Sequence, residues 1–228
     1  MSRVSLASGP VDRAVERLRG VCAVAVETLS AVGAGVSVLV QHGQYSLLTG
    51  ADAASERLEE MQFVLGEGPC VDATATGRPV LVSDLEDESP SRWPLYAPAM
   101  NEAGIRAIFA FPLQVGAARL GAMDIFRARP GPLSRAELIR AFQLTDEAVT
   151  ILLALQASAT SLGPIPPHEA GADSAELFQA QGMVMVQLDG TLYEAMARIR
   201  AHVYAENLRL VDVVRDIVER RLRFDKDE

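Results

Sequence analysis

Cys70 is the residue of this chain whose type and position most suggest chemistry. It follows the Gly/Pro-rich loop 66–69 and is predicted to lie at a helix N-terminus, a position that lowers the pKa of a thiol. Redox sensing or covalent catalysis would be open to such a thiol, although a buried cysteine packed as a small apolar group is the favoured interpretation. The second cysteine, Cys22, lies 48 positions away, which excludes a disulfide framework and a CxxC metal site.

The other polar residues favour neither a metal centre nor a catalytic constellation. His42 falls in a predicted hairpin turn and His168 in a predicted linker, and neither has a second ligand at metal-binding spacing. The acidic run at 84–88 is predicted to be a solvated loop. No phosphate-binding loop, nucleophile elbow or dinucleotide fingerprint occurs. The sequence therefore predicts a protein that is not an enzyme and has no metal site, and it specifies no cofactor.

The composition is that of a globular protein with one large or two small domains. The 228 residues are 49% hydrophobic and 22% charged, with a formal net charge of −9. This charge argues against bulk attachment to nucleic acid or to an anionic membrane. Residues 191–224 nevertheless hold seven Arg against five acidic residues. No apolar run could span a bilayer and the N-terminus lacks a signal peptide, so we expect a cytoplasmic protein with no membrane partner.

Hydrophobic periodicity predicts an α+β domain over residues 12–157, after an N-terminal tail at 1–11. A helix over 10–32 precedes a hairpin of strands at 36–41 and 45–49. Short helices, a strand and a second hairpin follow, and Ser134 and Glu137 form the capping box of a long helix. Hairpins make antiparallel sheets, and the amphipathic helices must cover such a sheet or each other.

The second domain is predicted to be all-helical. A Pro- and Gly-containing linker at 158–173 separates the two parts of the chain. Three helices are predicted within 174–228, the second of them opened by a capping box of Thr191 and Glu194. A core of about 50 residues is small for independent stability, so this unit is expected to pack against a partner.

The first domain resembles the GAF family of ligand-sensing domains over roughly residues 12–157. The positions that carry the resemblance are 66–70 (Gly-Glu-Gly-Pro-Cys), 84–85, 92–94 (Arg-Trp-Pro) and 112–113. The resemblance implies a central antiparallel sheet of five or six strands with helices on one side and a pocket on the other. It implies a small-molecule ligand of unspecified identity. Cys70, Trp93, Phe109 and Phe111 are the candidate pocket residues, although Trp93 could equally anchor a loop on the core.

The second domain resembles the ANTAR family of RNA-binding antiterminator domains. The positions that carry this resemblance are 179–185 (Gln-Ala-Gln-Gly-Met-Val-Met), 194–195, 199–200, 207–210 and 212–214. It implies a three-helix domain that acts as a dimer on paired RNA hairpin loops in leader transcripts. The chain departs from the family at Gln181, which replaces the usual Lys, and at 186–187, Leu208 and Val214. Each lost cation removes one potential phosphate contact.

The candidate RNA-binding residues are those of the second domain that can contact phosphate, bases or loop nucleotides. They are Gln181, Arg198, Arg200, His202, Tyr204, Asn207, Arg209 and Arg215. Arginine suits this role because its planar fork donates two parallel hydrogen bonds, and aromatic rings stack on unpaired bases. A solvated helix face with i,i+4 pairs is the alternative interpretation of the same charges.

Taken together, the two resemblances predict a signal-responsive transcription antitermination regulator. The GAF-like domain would control RNA binding by the ANTAR-like domain. The alternative is a GAF sensor whose helical tail mediates dimerisation or protein partnership without RNA. A homodimer is expected, because the first helix and the helix after Ser134 both carry long apolar stripes, which one sheet face is not expected to cover together.

Overall fold

The computed structural model describes residues 9–39, 45–88, 92–162, 172–206 and 208–225. At 45–48, 88, 158–162 and 172–175 it describes the backbone alone. Some of the sequence-based predictions fall outside these residues. They concern the hairpin turn at 42–44, the histidines His42 and His168, and Asn207.

Five strands and nine helices occur in the described part of the chain. The strands are β1 (Gly33–Leu39), β2 (Tyr45–Gly50), β3 (Val80–Val82), β4 (Ala107–Val115) and β5 (Ala118–Arg127). The first six helices are α1 (Pro10–Thr28), α2 (Ala53–Leu65), α3 (Pro69–Thr76), α4 (Leu85–Glu88), α5 (Tyr96–Glu102) and α6 (Arg135–Leu162). The last three are α7 (Ala172–Leu188), α8 (Leu192–Ala205) and α9 (Leu210–Val218).

The strands form one antiparallel sheet in the order β2-β1-β5-β4-β3. Both predicted hairpins are present as the β1–β2 and β4–β5 pairs. The first and last hairpins meet because β1 pairs with β5, and the short strand β3 closes the other edge. The predicted α+β fold of the first part of the chain is confirmed.

One face of the sheet is covered by α1 and α6. Apolar side chains of both helices pack with those of β1, β4 and β5 in a single core cluster. Helix α6 begins at the predicted capping box, where Ser134 N donates to Glu137 Oε2 at 2.7 Å and Glu137 N to Ser134 Oγ at 3.2 Å. It continues beyond 157, the predicted end, to Leu162. One sheet face thus covers much of both apolar stripes, while Phe142 of the α6 stripe stays half-exposed. The homodimer stays a prediction.

The opposite face of the sheet is covered by α2, α3, α4 and α5. Its apolar core joins alternate residues of β3, β4 and β5 to Trp93, Tyr96 and Met100. Helix α2 begins at Asp52, whose carboxylate accepts a hydrogen bond from Ser55 N at 2.8 Å. Because α2 crosses β1 and β2, it brings its polar side chains over the middle of the sheet.

Helices α7, α8 and α9 form a second core, which also includes Phe63 and Val64 of α2. The predicted capping box of α8 is present, with Glu194 N donating to Thr191 Oγ1 at 3.2 Å and Thr191 N to Glu194 Oε2 at 2.7 Å. The apolar side chains of α8 and α9 face inward, although Leu192 at the start of α8 is half-exposed. Two side chains of the first domain therefore complete the small core of the helical unit.

Candidate functional site

A cluster of polar side chains is buried between the sheet and helices α2 and α3. Asp124 lies in the central strand β5, Glu59 and Gln62 on α2, and Cys70 in the first turn of α3. Asp124 is fully buried and Glu59 is 3% exposed. We call Glu59, Gln62, Cys70 and Asp124, with Ser37 of β1, the polar cluster.

Two glycines make the room that the polar cluster occupies. Gly35 of β1 is paired with Asp124, and a Cβ on Gly35 would come within 2.3 Å of Glu59 Cγ. Gly68 adopts a φ of 139°, and a Cβ there would meet Gln62 Oε1 at 2.5 Å. Glycine is thus required at both positions for α2 to approach the sheet and the loop so closely.

Gln62 links the members of the polar cluster. Its Nε2 donates to Asp124 Oδ2 at 2.7 Å, and its Oε1 accepts from Cys70 N at 2.7 Å. The Cys70 thiol lies 3.0 Å from Ser37 Oγ. Since both polar ends of Gln62 are used, its side chain fixes the start of α3 relative to the strand that carries Asp124.

Glu59 and Asp124 form a buried carboxyl pair. Burial raises the pKa of Glu59 well above its ordinary value, and repulsion from Asp124 raises it further. Burial also raises the pKa of Asp124, to about 6, against the opposing effect of hydrogen bonds from Glu59, Gln62 and Cys70. Asp124 is therefore the group that carries the negative charge, and Glu59 holds the proton that it donates to Asp124.

The Cys70 thiol is protonated at neutral pH. Burial raises its pKa well above that of a free cysteine, and the nearby Asp124 and Glu59 raise it further. The expectation that a helix N-terminus would lower this pKa was wrong, because desolvation and two acidic neighbours outweigh that effect. A neutral buried thiol is a poor nucleophile, so Cys70 serves here as a hydrogen-bonding member of the polar cluster.

Further polar atoms lie close to the polar cluster. The Tyr96 phenol is fully buried; burial first, and then the charges of Asp124, Glu59 and Cys70, raise its pKa. Neither Tyr96 Oη nor Thr74 Oγ1 has a hydrogen-bond partner among the described residues. Glu67, from the loop before α3, positions Tyr96 by accepting from Leu95 N at 2.7 Å and Tyr96 N at 2.8 Å.

The predicted pocket residues divide between the two faces of the sheet. Cys70 and Trp93 lie on the α2–α5 face, where Trp93 packs edge-on against Tyr96 at 6.4 Å. Phe109 and Phe111 lie on the other face in the α1–α6 core, and Phe111 packs edge-on against Phe142 of α6 at 5.4 Å. Phe109 and Phe111 therefore do not share a face with Cys70 and Trp93, because β4 alternates and places Ile108 and Ala110 towards the polar cluster side.

The sequence profile of the GAF domain matches residues 14–154, which include the sheet, the polar cluster and helices α1 to α5. The chain belongs to the GAF domain family. The profile covers more than half of the chain and ends before α7. No match is found among curated proteins.

Solved structures support the GAF fold at low sequence identity. The photoproduct state of GAF3 from Slr1393 of Synechocystis sp. PCC6803 has a TM-score of 0.54 at 16% identity, covering 66% of this chain and 99% of that one. The GAF domain of a phosphoenolpyruvate-protein phosphotransferase from Coxiella burnetii has a TM-score of 0.51 at 16% identity, covering 64% and 86%. A GAF domain/HD domain protein from Geobacter sulfurreducens has a TM-score of 0.50 at 12% identity, covering 64% and 96%.

Two of the candidate RNA-binding arginines contact the GAF domain. The Arg200 guanidinium lies 5.0 Å from the centre of the Phe63 ring, and an added Cβ on Gly66 would meet its Nη1 at 3.1 Å. Arg209 Nε lies 3.5 Å from Glu60 Oε2. The backbone holds this contact too, since Leu210 N donates to Glu60 Oε1 at 2.7 Å.

Gln181 is buried inside the helical unit. Its Nε2 donates to Leu192 O at 2.7 Å, and only 1% of the residue is exposed. In this arrangement it cannot contact RNA, so its listing among the RNA-binding residues is not supported by its position. Gln181 instead joins α7 to the start of α8, a role that an uncharged amide fills at lower desolvation cost than a lysine.

The remaining candidates lie on different sides of the helical unit. Arg198 lies beside Glu194 and Asp225 along a shallow groove, and the His202 ring packs edge-on against Phe224 at 5.4 Å. Tyr204 is half-exposed in a groove between α2, α5 and α8. Arg215 is exposed on α9, with Nη1 3.6 Å from Asp212. Within one chain, the described candidate residues thus do not form one continuous surface of the helical unit.

Sequence reasoning missed Glu59, Gln62 and Asp124. Asp124 could have been noticed as the one charged residue within the apolar run 121–126, since a carboxylate in a central strand needs a buried partner.

Among the described residues, no helix is both long enough and apolar enough to cross a bilayer.

Proposed function

We propose that this chain is a signal-responsive transcription antitermination regulator. Its GAF domain receives the signal and its helical unit, of ANTAR type, binds RNA hairpins. Support comes from the motif at 179–185 on α7, from the three helices α7 to α9 and from the capping box at Thr191. GAF domains commonly bind small molecules, and we propose that the polar cluster face receives one here.

The observation that carries the proposal is that α2, a helix of the GAF domain, also packs against the helical unit. Its Glu59 and Gln62 side chains reach the polar cluster, while Glu60 and Phe63 contact Arg209 and Arg200. These positions follow one another on adjacent faces of a single helix. A rotation or shift of α2 that answers a ligand at the polar cluster must therefore change the contacts of both arginines.

This arrangement supports control by competition. Arg200 and Arg209 would contact RNA phosphates or bases only when they leave α2, so the arrangement described here corresponds to a state of low RNA affinity. A ligand alters the balance only through its different affinities for the two arrangements. On this proposal the chain acts by binding and not by catalysis, in line with the protonated thiol of Cys70.

Replacement of Glu60 by glutamine tests the proposal. Glu60→Gln keeps the size of the side chain but removes the charge that holds Arg209. Binding of a two-hairpin leader transcript should therefore become about two- to fivefold tighter, as expected for an ion pair worth up to about 1 kcal/mol. Glu56→Gln is the matched control, because Glu56 lies on the same helix but faces Arg19 of α1 at 3.7 Å. Filter binding over a range of salt concentrations measures both affinity and the number of phosphate contacts.

Two outcomes would contradict the proposal. Equal RNA affinity of Glu60→Gln and Glu56→Gln would remove the role of the α2 contact. Absence of binding to any two-hairpin transcript, by a folded protein and by Glu60→Gln alike, would remove RNA binding itself.

A second candidate function rests on exposed apolar residues of the helical unit. Val186 is 74% exposed and Tyr193 is 81% exposed, and Leu192, which precedes Tyr193, is half-exposed. Apolar groups at such exposure are typical of a protein contact surface. This favours a helical tail that pairs with another protein or with a second copy, and light scattering of the full chain in the same experiments distinguishes a homodimer from a monomer.

A further inference from the structure

We propose that Glu59, Cys70 and Asp124 bind a single divalent transition-metal ion of the zinc class. Each residue offers one ligand atom, and the three atoms lie within 4.8 Å of one another. An ion about 2.0–2.3 Å from each of three oxygen and sulfur ligands requires separations of this order. Only small side-chain movements would bring them to a shared ion.

The second observation is that the buried carboxyl pair has few donors besides the proton that the two groups share. Glu59 Oε1 and Asp124 Oδ1 are buried, and no backbone, amide or basic group among the described residues donates to either oxygen. Both side chains are more than nine-tenths buried. An unsatisfied buried oxygen is costly and needs an explanation, and a coordinated cation would satisfy both.

The charge of the site points to the same conclusion. The described ion pairs include neither Glu59 nor Asp124, and Arg209 and Arg19 pair instead with Glu60 and with Glu16 and Glu56. Two carboxyls and a thiol are thus gathered in the interior without a basic side chain bound to them. A divalent ion would neutralise them where the protein offers no cation of its own.

The ligand types select among metals. One sulfur and two carboxylate oxygens suit zinc and related first-row ions, whereas calcium and magnesium prefer oxygen ligands alone. Coordination would release the thiol proton, and any carboxyl proton, to solvent. Tyr96 Oη is a further buried polar atom without a hydrogen-bond partner among the described residues.

Neighbouring residues are placed to orient the ligands. Gln62 Nε2 donates to Asp124 Oδ2 at 2.7 Å, and Ser37 Oγ lies 3.0 Å from Cys70 Sγ. Such outer contacts hold metal ligands in one orientation. The proposed site stands or falls independently of RNA binding, because none of its residues belongs to the helical unit.

Metal binding by the full chain tests this inference. Zinc chloride is offered both to the folded protein and during refolding, since the ligands are buried, and bound zinc is measured after gel filtration. We expect one zinc per chain, and with cobalt as the probe a thiolate-to-metal charge-transfer band. Glu59→Gln should weaken zinc affinity more than about tenfold while keeping the fold, and Cys70→Ala should abolish the charge-transfer band.

Cys22→Ala is the matched control. Cys22 is the other buried cysteine, but it lies in the α1–α6 core, so this variant should bind zinc and show the cobalt band as the unmodified chain does. Zinc binding well below one equivalent per chain would overturn the inference. Equal affinity of the unmodified chain, Glu59→Gln and Cys70→Ala would overturn it too, because the metal would then be bound elsewhere.

Discussion

The two faces of the sheet are built differently. The face under α1 and α6 forms a core of apolar side chains, with Arg127 at its edge donating to Leu29 O at 2.8 Å. The face under α2 and α3 holds Asp124, Glu59 and Cys70 without exposing them. Both faces belong to the same strands, whose alternate residues point to opposite sides. The two faces therefore differ in which alternate positions carry polar side chains and in which helices cover them.

The difference indicates a division of labour within the GAF domain. Burial of ionisable groups is unfavourable unless hydrogen bonds or charges compensate it. The polar cluster therefore contributes less to stability than an apolar core of equal size, and the α1–α6 face must supply the excess. A polar interior that weakens its own fold is typical of a site retained for binding.

The largest expected effect is on the apolar face. Phe111 is fully buried and packs against Phe142, so Phe111→Ala should lower the free energy of unfolding by about 3–5 kcal/mol. Urea unfolding followed by circular dichroism measures this change. Ile139→Ala on α6 is the control, because Ile139 is half-exposed and its loss should cost no more than about 0.5 kcal/mol.

A conservative change on the polar face should have the opposite sign. In metal-free protein at neutral pH, the Glu59 carboxyl must bind a proton before it can donate to Asp124. The amide of Glu59→Gln can donate to Asp124 without binding a proton. We expect the free energy of unfolding to rise by about 1–2 kcal/mol, because the amide removes the cost of holding a proton on a buried carboxyl at neutral pH. Urea unfolding with a chelator present measures it.

Asp124→Asn is the contrasting variant on that face. It removes the carboxylate that accepts from Gln62 Nε2 and should destabilise the protein, because buried donors lose their charged acceptor. If Glu59→Gln were as destabilising as Asp124→Asn, the two carboxyls would not have the separate roles of proton donor and charged acceptor.

Local patterns in the sequence predicted most of the fold. Turn residues and alternating apolar runs indicated both hairpins, and the spacing of serine or threonine to glutamate located the starts of α6 and α8. These signals are local because a cap or a turn is formed by residues close in sequence. The family resemblance added a single central antiparallel sheet of five or six strands, which local patterns do not contain.

The faces of β4 could not be assigned from the sequence. Residues 107–113 are apolar at both parities, so alternation gave no indication of which side Phe109 and Phe111 would occupy. The polar cluster was also beyond local reasoning, because Glu59, Cys70 and Asp124 meet only through the pairing of β1 with β5 and the crossing of α2. Contacts of this kind depend on tertiary structure alone.

The smallest effect we predict concerns the start of α2, the helix that carries the polar face. Asp52 accepts hydrogen bonds from Ser55 N and Ser55 Oγ, each at 2.8 Å, and these bonds lower its pKa below the ordinary 3.8. A lowered pKa in the folded state means that the stabilisation is complete above pH 3.8 and is lost as the pH falls through the folded value. Asp52→Ala should therefore cost about 1 kcal/mol at pH 7 and less at pH 3.

Asp52→Asn separates the charge from the cap. Asparagine caps a helix about as well as aspartate but does not titrate, so its free energy of unfolding should gain on that of the unmodified chain as the pH falls below 3.8. Urea unfolding at both pH values, with hydrogen exchange of the α2 and α6 amides, measures the effect and its location. For Asp52→Ala we expect faster hydrogen exchange of the α2 amides and unchanged exchange of the α6 amides. A cost of Asp52→Ala that is equal at pH 7 and pH 3, or exchange that increases equally in both helices, would contradict a local charged cap on the polar face.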